Sequence, residues 1–121
     1  DVSSVDAGVQ LRIGNINFKP DQAVILSDDY ERLDALARTL QEVNPEKRFL
    51  VVGHTADIGN PTGQQRLSVA RAKAVVDELT ARGLASGRFI YEGRGGSEPI
   101  GDNSTPAGRA RNRRVELTVL D

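Results

Sequence analysis

Phe49-Leu50-Val51-Val52, running into Gly53-His54-Thr55-Ala56-Asp57-Ile58-Gly59, is the stretch on which the architecture of this chain turns. Four consecutive apolar residues of high β preference suit a central strand covered on both faces, since a half-solvated strand would alternate instead. The polar segment that follows reads as a loop leaving the end of that strand. The segments on either side then decide how the strand is entered and left.

Upstream, Ser27 reads as a helix N-cap, with Asp28, Asp29 and Glu31 in the first turn, where carboxylates complement the helix dipole. Tyr30, Leu33, Leu36, Ala37, Leu40 and Val43 recur at three- and four-residue spacings, which predicts one apolar face, and Asn44-Pro45 stops the run. Earlier still, Val9, Leu11 and Ile13 alternate with Gln10 and Arg12 as in a half-buried strand. Ile16 and Phe18 follow Gly14-Asn15, and Pro20 ends any pairing. Asp1–Gly8 is small and polar and reads as a linker remnant, leaving residues 9–121 as one domain.

Downstream, Asn60-Pro61-Thr62-Gly63 reads as a loop, after which a second helix is expected from about Gln64 to Arg82. It presents Leu67, Val75, Val76 and Leu79 inward and ends at Gly83. Phe89-Ile90-Tyr91 is a third strand candidate. Gly93–Asn103 holds five glycine or proline residues in eleven positions and is expected to be irregular. Thr105 before Pro106 reads as an N-cap with proline at the first helical position, opening a short helix to about Asn112. Val115, Leu117 and Val119 alternate with Glu116 and Thr118, which predicts a terminal strand with one solvated face. The order strand, helix, strand, helix, strand, short helix, strand predicts an α/β (α+β) two-layer sandwich. Its mixed four-stranded sheet carries the two long helices on one face.

Composition narrows the function classes. The 121 residues suffice for one hydrophobic core. A charged fraction of 27% with a net charge of −1 gives no global attraction to nucleic acid or to an anionic membrane. No window approaches the roughly 18 consecutive apolar residues of a membrane span, and the N-terminus lacks a secretory pattern. Cysteine is absent, which excludes disulfides and thiol chemistry. Methionine is absent even at position 1, so the chain reads as a segment excised from a longer protein.

Few residues carry candidate chemistry. His54, the one histidine, reads either as a general base or as a strand-end histidine tying down the loop; no motif supplies it with a nucleophile and an orienting acid. A histidine-rich metal site is excluded, and no metal or cofactor is expected. Ser68 falls on the apolar side of its helix, where a hydroxyl bonds a backbone carbonyl or caps a neighbouring loop. Arg71 lies between Leu67 and Val75 on the border of the core-facing stripe, so it either snorkels, pairs within the protein or meets an anion. Thirteen of the sixteen basic residues are arginine, and Arg109, Arg111, Arg113 and Arg114 cluster. They have no interleaved aromatics for bases to stack on, so nucleic acid is not an expected partner. Gly93-Arg94-Gly95-Gly96 opens no helix and reads as a surface turn rather than a phosphate cradle.

Three blocks, Gly53-His54-Thr55-Ala56-Asp57-Ile58-Gly59, Leu67-Ser68-Val69-Ala70-Arg71-Ala72 and Asn112-Arg113-Arg114-Val115, follow one another in the order of the OmpA-like peptidoglycan-binding family, which this chain resembles. The resemblance implies the same sandwich fold and a noncovalent grip on the peptidoglycan stem peptide, anchoring an envelope protein to the cell wall without any reaction. It implies a periplasmic setting at or near the outer membrane. Any membrane attachment would run through a segment absent from this chain, and other envelope proteins are further partners. It marks Thr55, Ala56, Asp57, Ile58, Gln64, Leu67, Arg71, Asn112 and Arg113 as ligand-binding positions. In the family an aspartate grips the ammonium of the third-position diamino acid and an arginine grips its carboxylate; those positions here are Ala56 and Arg71. Asp57 stands one residue out of register, and Gln64-Gln65 replaces the family's usual asparagine. Arg113 is the member of the arginine cluster expected to point inward. The departure at Ala56 leaves two readings: peptidoglycan of altered chemistry, for example with ornithine in place of the family's usual diaminopimelate, or a fold that has lost the ligand and serves as a structural or protein-interaction module.

Overall fold

A computed structural model describes residues 9–13, 18, 23–57 and 59–120. The linker reading of Asp1–Gly8 and the readings at Gly14, Asn15, Ile16, Pro20 and Ile58 lie outside those residues. The fold is a mixed α/β one. Strands β1 (Val9–Ile13), β2 (Arg48–His54), β3 (Phe89–Gly93) and β4 (Arg114–Leu120) form one sheet in the order β1-β4-β2-β3. Strand β4 runs antiparallel to both β1 and β2, whereas β2 and β3 are parallel. A parallel pair needs a helical crossover. Helix α2 (Pro61–Ala81) provides it, α1 (Tyr30–Gln41) precedes β2, and the short α3 (Pro106–Asn112) precedes β4.

Register explains the core. Phe49 lies opposite Val119 and Val51 opposite Leu117, so alternate residues of β2 and β4 share one face. They form one buried cluster with Leu33, Ala37 and Leu40 of α1 and Ala72, Val75, Val76 and Leu79 of α2. Phe89 joins it from β3, its ring 5.3 Å from that of Phe49. At Gly53 the strand touches α2 so closely that a Cβ there would collide with the backbone carbonyl of Ser68. This contact brings the end of β2 against the first turns of α2.

Several local expectations need correction. Ser27 is not the N-cap of α1; it opens a 3-10 turn (Ser27–Asp29), and neither Leu26 nor Asp29 donates or accepts through its side chain as a cap. Tyr30, expected on the buried face, is exposed, with Arg82 5.6 Å from its ring. Asn60-Pro61-Thr62-Gly63 is not a loop. Asn60 caps α2, its Oδ1 accepting from the N–H groups of Thr62 at 2.8 Å and Gly63 at 3.3 Å, and Pro61 occupies the first turn, where no intrahelical N–H is needed. Thr105 caps α3 in the same way through Gly108. Leu67 is only half-buried and stands outside the core cluster. The other face of β4 is not solvated: Arg114 and Glu116 are 3% and 8% exposed. Residues after β3 cover them, with Arg114 donating to the Glu98 carbonyl at 2.9 Å.

Candidate functional site

The end of β2, the loop after it and the start of α2 enclose a cavity of about 580 Å³. Thr55, Ala56, Gln64, Leu67, Arg71 and Arg113 line it, so six of the nine positions singled out in the sequence meet there. Phe18, Gly59, Asn60 and Gly63 complete the wall. Arg71 is 4% exposed, with its guanidinium 4.9 Å from the Phe18 ring centre, a cation–π contact that holds the plane of the fork. Phe18 itself is bridged to Ile25, an antiparallel contact that no sequence signal announces. Arg113, at the C-cap of α3, is exposed and reaches the cavity from the opposite side. The buried arginine of its cluster is Arg114, not Arg113, because alternation along β4 turns Arg114 to the covered face of the sheet.

The described lining contains two guanidinium groups and no carboxylate. Ala56, 4% exposed, presents a methyl group there. Asp57 is exposed and lines a separate, smaller cavity of about 260 Å³ with Arg94, Gly96 and Ser97. Gln64 belongs to both walls and separates them, its Nε2 donating to the Gly59 carbonyl at 3.3 Å. Ile58 lies outside the described residues. The first N–H groups of α2 are taken by Asn60, so the positive character of the cavity comes from the arginines rather than from free N–H groups at the helix start.

Asn112 does not line the cavity. It is fully buried, and its Oδ1 accepts from the N–H groups of Ile100 and Gly101 at 2.7 and 2.8 Å. Its Nδ2 donates to the Gly101 carbonyl and to Asn103 Oδ1, which uses the full capacity of the amide. Asn103 Oδ1 also accepts from the Asp57 N–H at 3.3 Å. Asn112 thereby acts on the cavity at one remove, by fixing the loop that carries Ala56. Ser68 does the same from below: its Oγ donates to the Gln65 carbonyl at 2.8 Å and accepts from the Gly95 N–H at 3.0 Å, while the Gly95 carbonyl receives the Thr55 N–H at 2.9 Å. The glycine turn after β3 is thus a brace for the cavity loop.

His54 is 1% exposed and its Nε2 lies 3.3 Å from Glu116 Oε1. Arg114 Nε donates to the other oxygen of Glu116 at 2.8 Å. The histidine therefore ties β2 to β4 rather than fastening the loop. Burial, and then the charge of Arg114, push its pKa below the ordinary 6.5 against the pull of Glu116. A neutral imidazole donates Nε2–H to Glu116, which leaves Nδ1 as a buried acceptor without a partner among the described residues. Among those residues no group of three or more acidic, histidine or cysteine side chains is placed to hold a metal.

The pattern of the OmpA family matches residues 17–113, and the chain belongs to that family. It is 42% identical over 106 residues to the peptidoglycan-binding protein ArfA of Mycobacterium tuberculosis, a match covering 88% of this chain and 32% of that protein. The chain thus spans about a third of that relative's length. The cell wall anchor of the T6SS from Pseudomonas aeruginosa has a similar structure, with a TM-score of 0.76 and 36% identity over 92% of this chain and 78% of that one. The periplasmic domain of Helicobacter pylori MotB superposes with a TM-score of 0.85 over 97% of this chain and 85% of its own; at 23% identity this likeness concerns the fold. Further relatives are named as outer membrane proteins and lipoproteins.

Proposed function

We propose that this domain binds peptidoglycan noncovalently through the side chain of the third residue of the stem peptide, and so anchors an envelope protein to the cell wall. The observation that carries the reading is the cavity walled by Arg71 and Arg113 beside the Thr55-Ala56 loop. A carboxylate held between two arginine forks forms short, charge-assisted hydrogen bonds. Two guanidinium groups favour a diaminopimelate-type residue, which ends in a carboxylate, over ornithine, whose side chain ends only in an ammonium. The domain acts by holding, not by turnover: acid–base or nucleophilic chemistry needs a positioned pair at the ligand, and the described wall supplies no acid and no histidine. Its setting is the periplasm near the outer membrane.

Co-sedimentation with purified sacculi tests the reading. The chain should pellet with them, Arg71→Ala together with Arg113→Ala should stay in solution with the fold intact, and the muropeptides should be unchanged after incubation. Equal pelleting by the double variant removes the cavity from the mechanism. Failure of the wild type to pellet leaves the second reading, a protein-interaction module, which the methyl group of Ala56 in the wall favours.

A further inference from the structure

We propose that Asn103, which does not itself line the cavity, is a positioning residue for the ligand: it sets the gap between Arg113 and the Thr55-Ala56 loop, and through that gap the affinity for the stem-peptide carboxylate. This rests on the stem-peptide reading above. The two walls come from distant parts of the chain. Arg113 is the C-cap of α3, whereas Thr55 and Ala56 leave the end of β2. Charge-assisted hydrogen bonds to a carboxylate are short and weaken steeply when the donor is misplaced or badly angled. A side chain that joins the two walls therefore bears on affinity without touching the ligand.

Three contacts make Asn103 that joint. Its Oδ1 accepts from the Asp57 N–H at 3.3 Å, across 46 residues of sequence, and from Asn112 Nδ2 at 2.7 Å. Its carbonyl accepts from Arg109 Nη1 at 2.9 Å. Arg109 and Asn112 are three residues apart on α3 and share one of its faces, so the helix holds Asn103 by backbone and side chain together. Two donors converge on Oδ1, which fixes the amide with its oxygen toward the loop. Asn112 has no slack to give, being buried with its amide fully used. On its far side the loop is pressed against Gly96, where a Cβ would lie 2.7 Å from the Asp57 Cα. The loop is thus held between a glycine that leaves it just enough room and an acceptor carried by the helix that presents Arg113. At 3.3 Å and on an exposed residue, the Asp57 bond contributes little to stability; what it sets is where Ala56 stands relative to Arg113.

Co-sedimentation of the 121-residue chain with graded amounts of purified sacculi measures the apparent affinity, and urea unfolding of the same variants reports stability. Asn103→Ala should weaken binding about tenfold, the scale of one misplaced charge-assisted hydrogen bond. Asn103→Asp keeps an acceptor for both donors and should recover to within about threefold of the wild type. Arg113→Ala should cost less affinity in the Asn103→Ala background than in the wild type, because two residues acting on one contact are not additive. A purely structural role would lower the unfolding midpoint without that coupling. If Asn103→Ala does not fold, Asn103→Gln carries the test: it keeps the amide, moves it outward by one methylene and should also weaken binding. Wild-type affinity in the folded variant, an Asn103→Asp protein as weak as Asn103→Ala, or losses that simply add with Arg113→Ala overturns the proposal and leaves the stem-peptide reading intact. Failure of the wild type to pellet overturns the parent reading and this inference with it.

Discussion

Arg71 shows how one side chain is shared between packing and recognition. Its stem is buried in the helix–sheet border while Phe18 lies against its guanidinium, so the plane of the fork is set before a ligand arrives. A lysine would keep the charge and lose the fork. Arg71→Lys should therefore weaken peptide binding by about tenfold, with a stability loss of about 2 kcal/mol at this buried position. Titration calorimetry and urea unfolding separate the two effects, and an unchanged affinity would show that charge alone suffices. His54 makes a different prediction. Its folded pKa lies below 6.5, so the unfolded chain takes up this proton first as the pH falls. The contribution is complete above about pH 6.5 and is lost below it, with a slope of at most about 1.4 kcal/mol per pH unit. Unfolding midpoints taken at roughly pH 7.5 and 5.5 should fall more for the wild type than for His54→Gln, which keeps an amide donor near Glu116 and cannot titrate. Equal slopes in the two proteins would mean that folding leaves the imidazole pKa unshifted.

Among the elements, α2 does most to shape the cavity, and its first turn is set by Asn60. Asn60→Ala should cost about 1 kcal/mol in urea unfolding, because two N–H groups lose their acceptor, and should weaken ligand binding as the wall around Gly59 and Gly63 loosens. A midpoint within error of the wild type would assign the cap to water. The start of α2 and the start of α3 carry the same chemical signal, a capping side chain followed by proline. At Thr105-Pro106 that signal is plain in the sequence. At Asn60-Pro61 the following Thr62-Gly63 has poor helix propensity and obscures it, and the packing of α2 on Gly53 overrides the propensity. Tyr30 diverges for a related reason: helical spacing places it near the apolar stripe, but the helix begins at Tyr30 itself, past the edge of the sheet cluster.

For the molecule as a whole, the covered face of the sheet matters as much as the core. Arg114, Glu116 and His54 form a buried polar cluster that joins β2 to β4 and reaches the chain after β3 through the Glu98 carbonyl. Arg114→Ala should cost about 1.5–3 kcal/mol, because Glu116 loses a charge-assisted hydrogen bond and the Glu98 carbonyl loses its donor. Urea unfolding at neutral pH measures this, and a loss under about 1 kcal/mol would show that water enters and replaces the guanidinium. The same cluster lies on the residue before Thr55, so the sheet and the cavity loop share one support.

The mixed α/β class, the strand at Phe49–Val52, the short helix opened by Thr105-Pro106 and the family blocks were all legible in the sequence, because each rests on contacts or caps only a few residues apart. The convergence of Thr55, Ala56, Gln64, Leu67, Arg71 and Arg113 on one cavity was legible only as an expectation carried by resemblance. Tertiary structure alone put Phe18 against Arg71, sent Asp57 to a neighbouring hollow, turned Asn112 into a loop latch and buried Arg114 and Glu116. These outcomes depend on which segments meet across tens of residues. A strand's alternation states that one face differs from the other, but what covers the second face is decided by the loop that folds back over it.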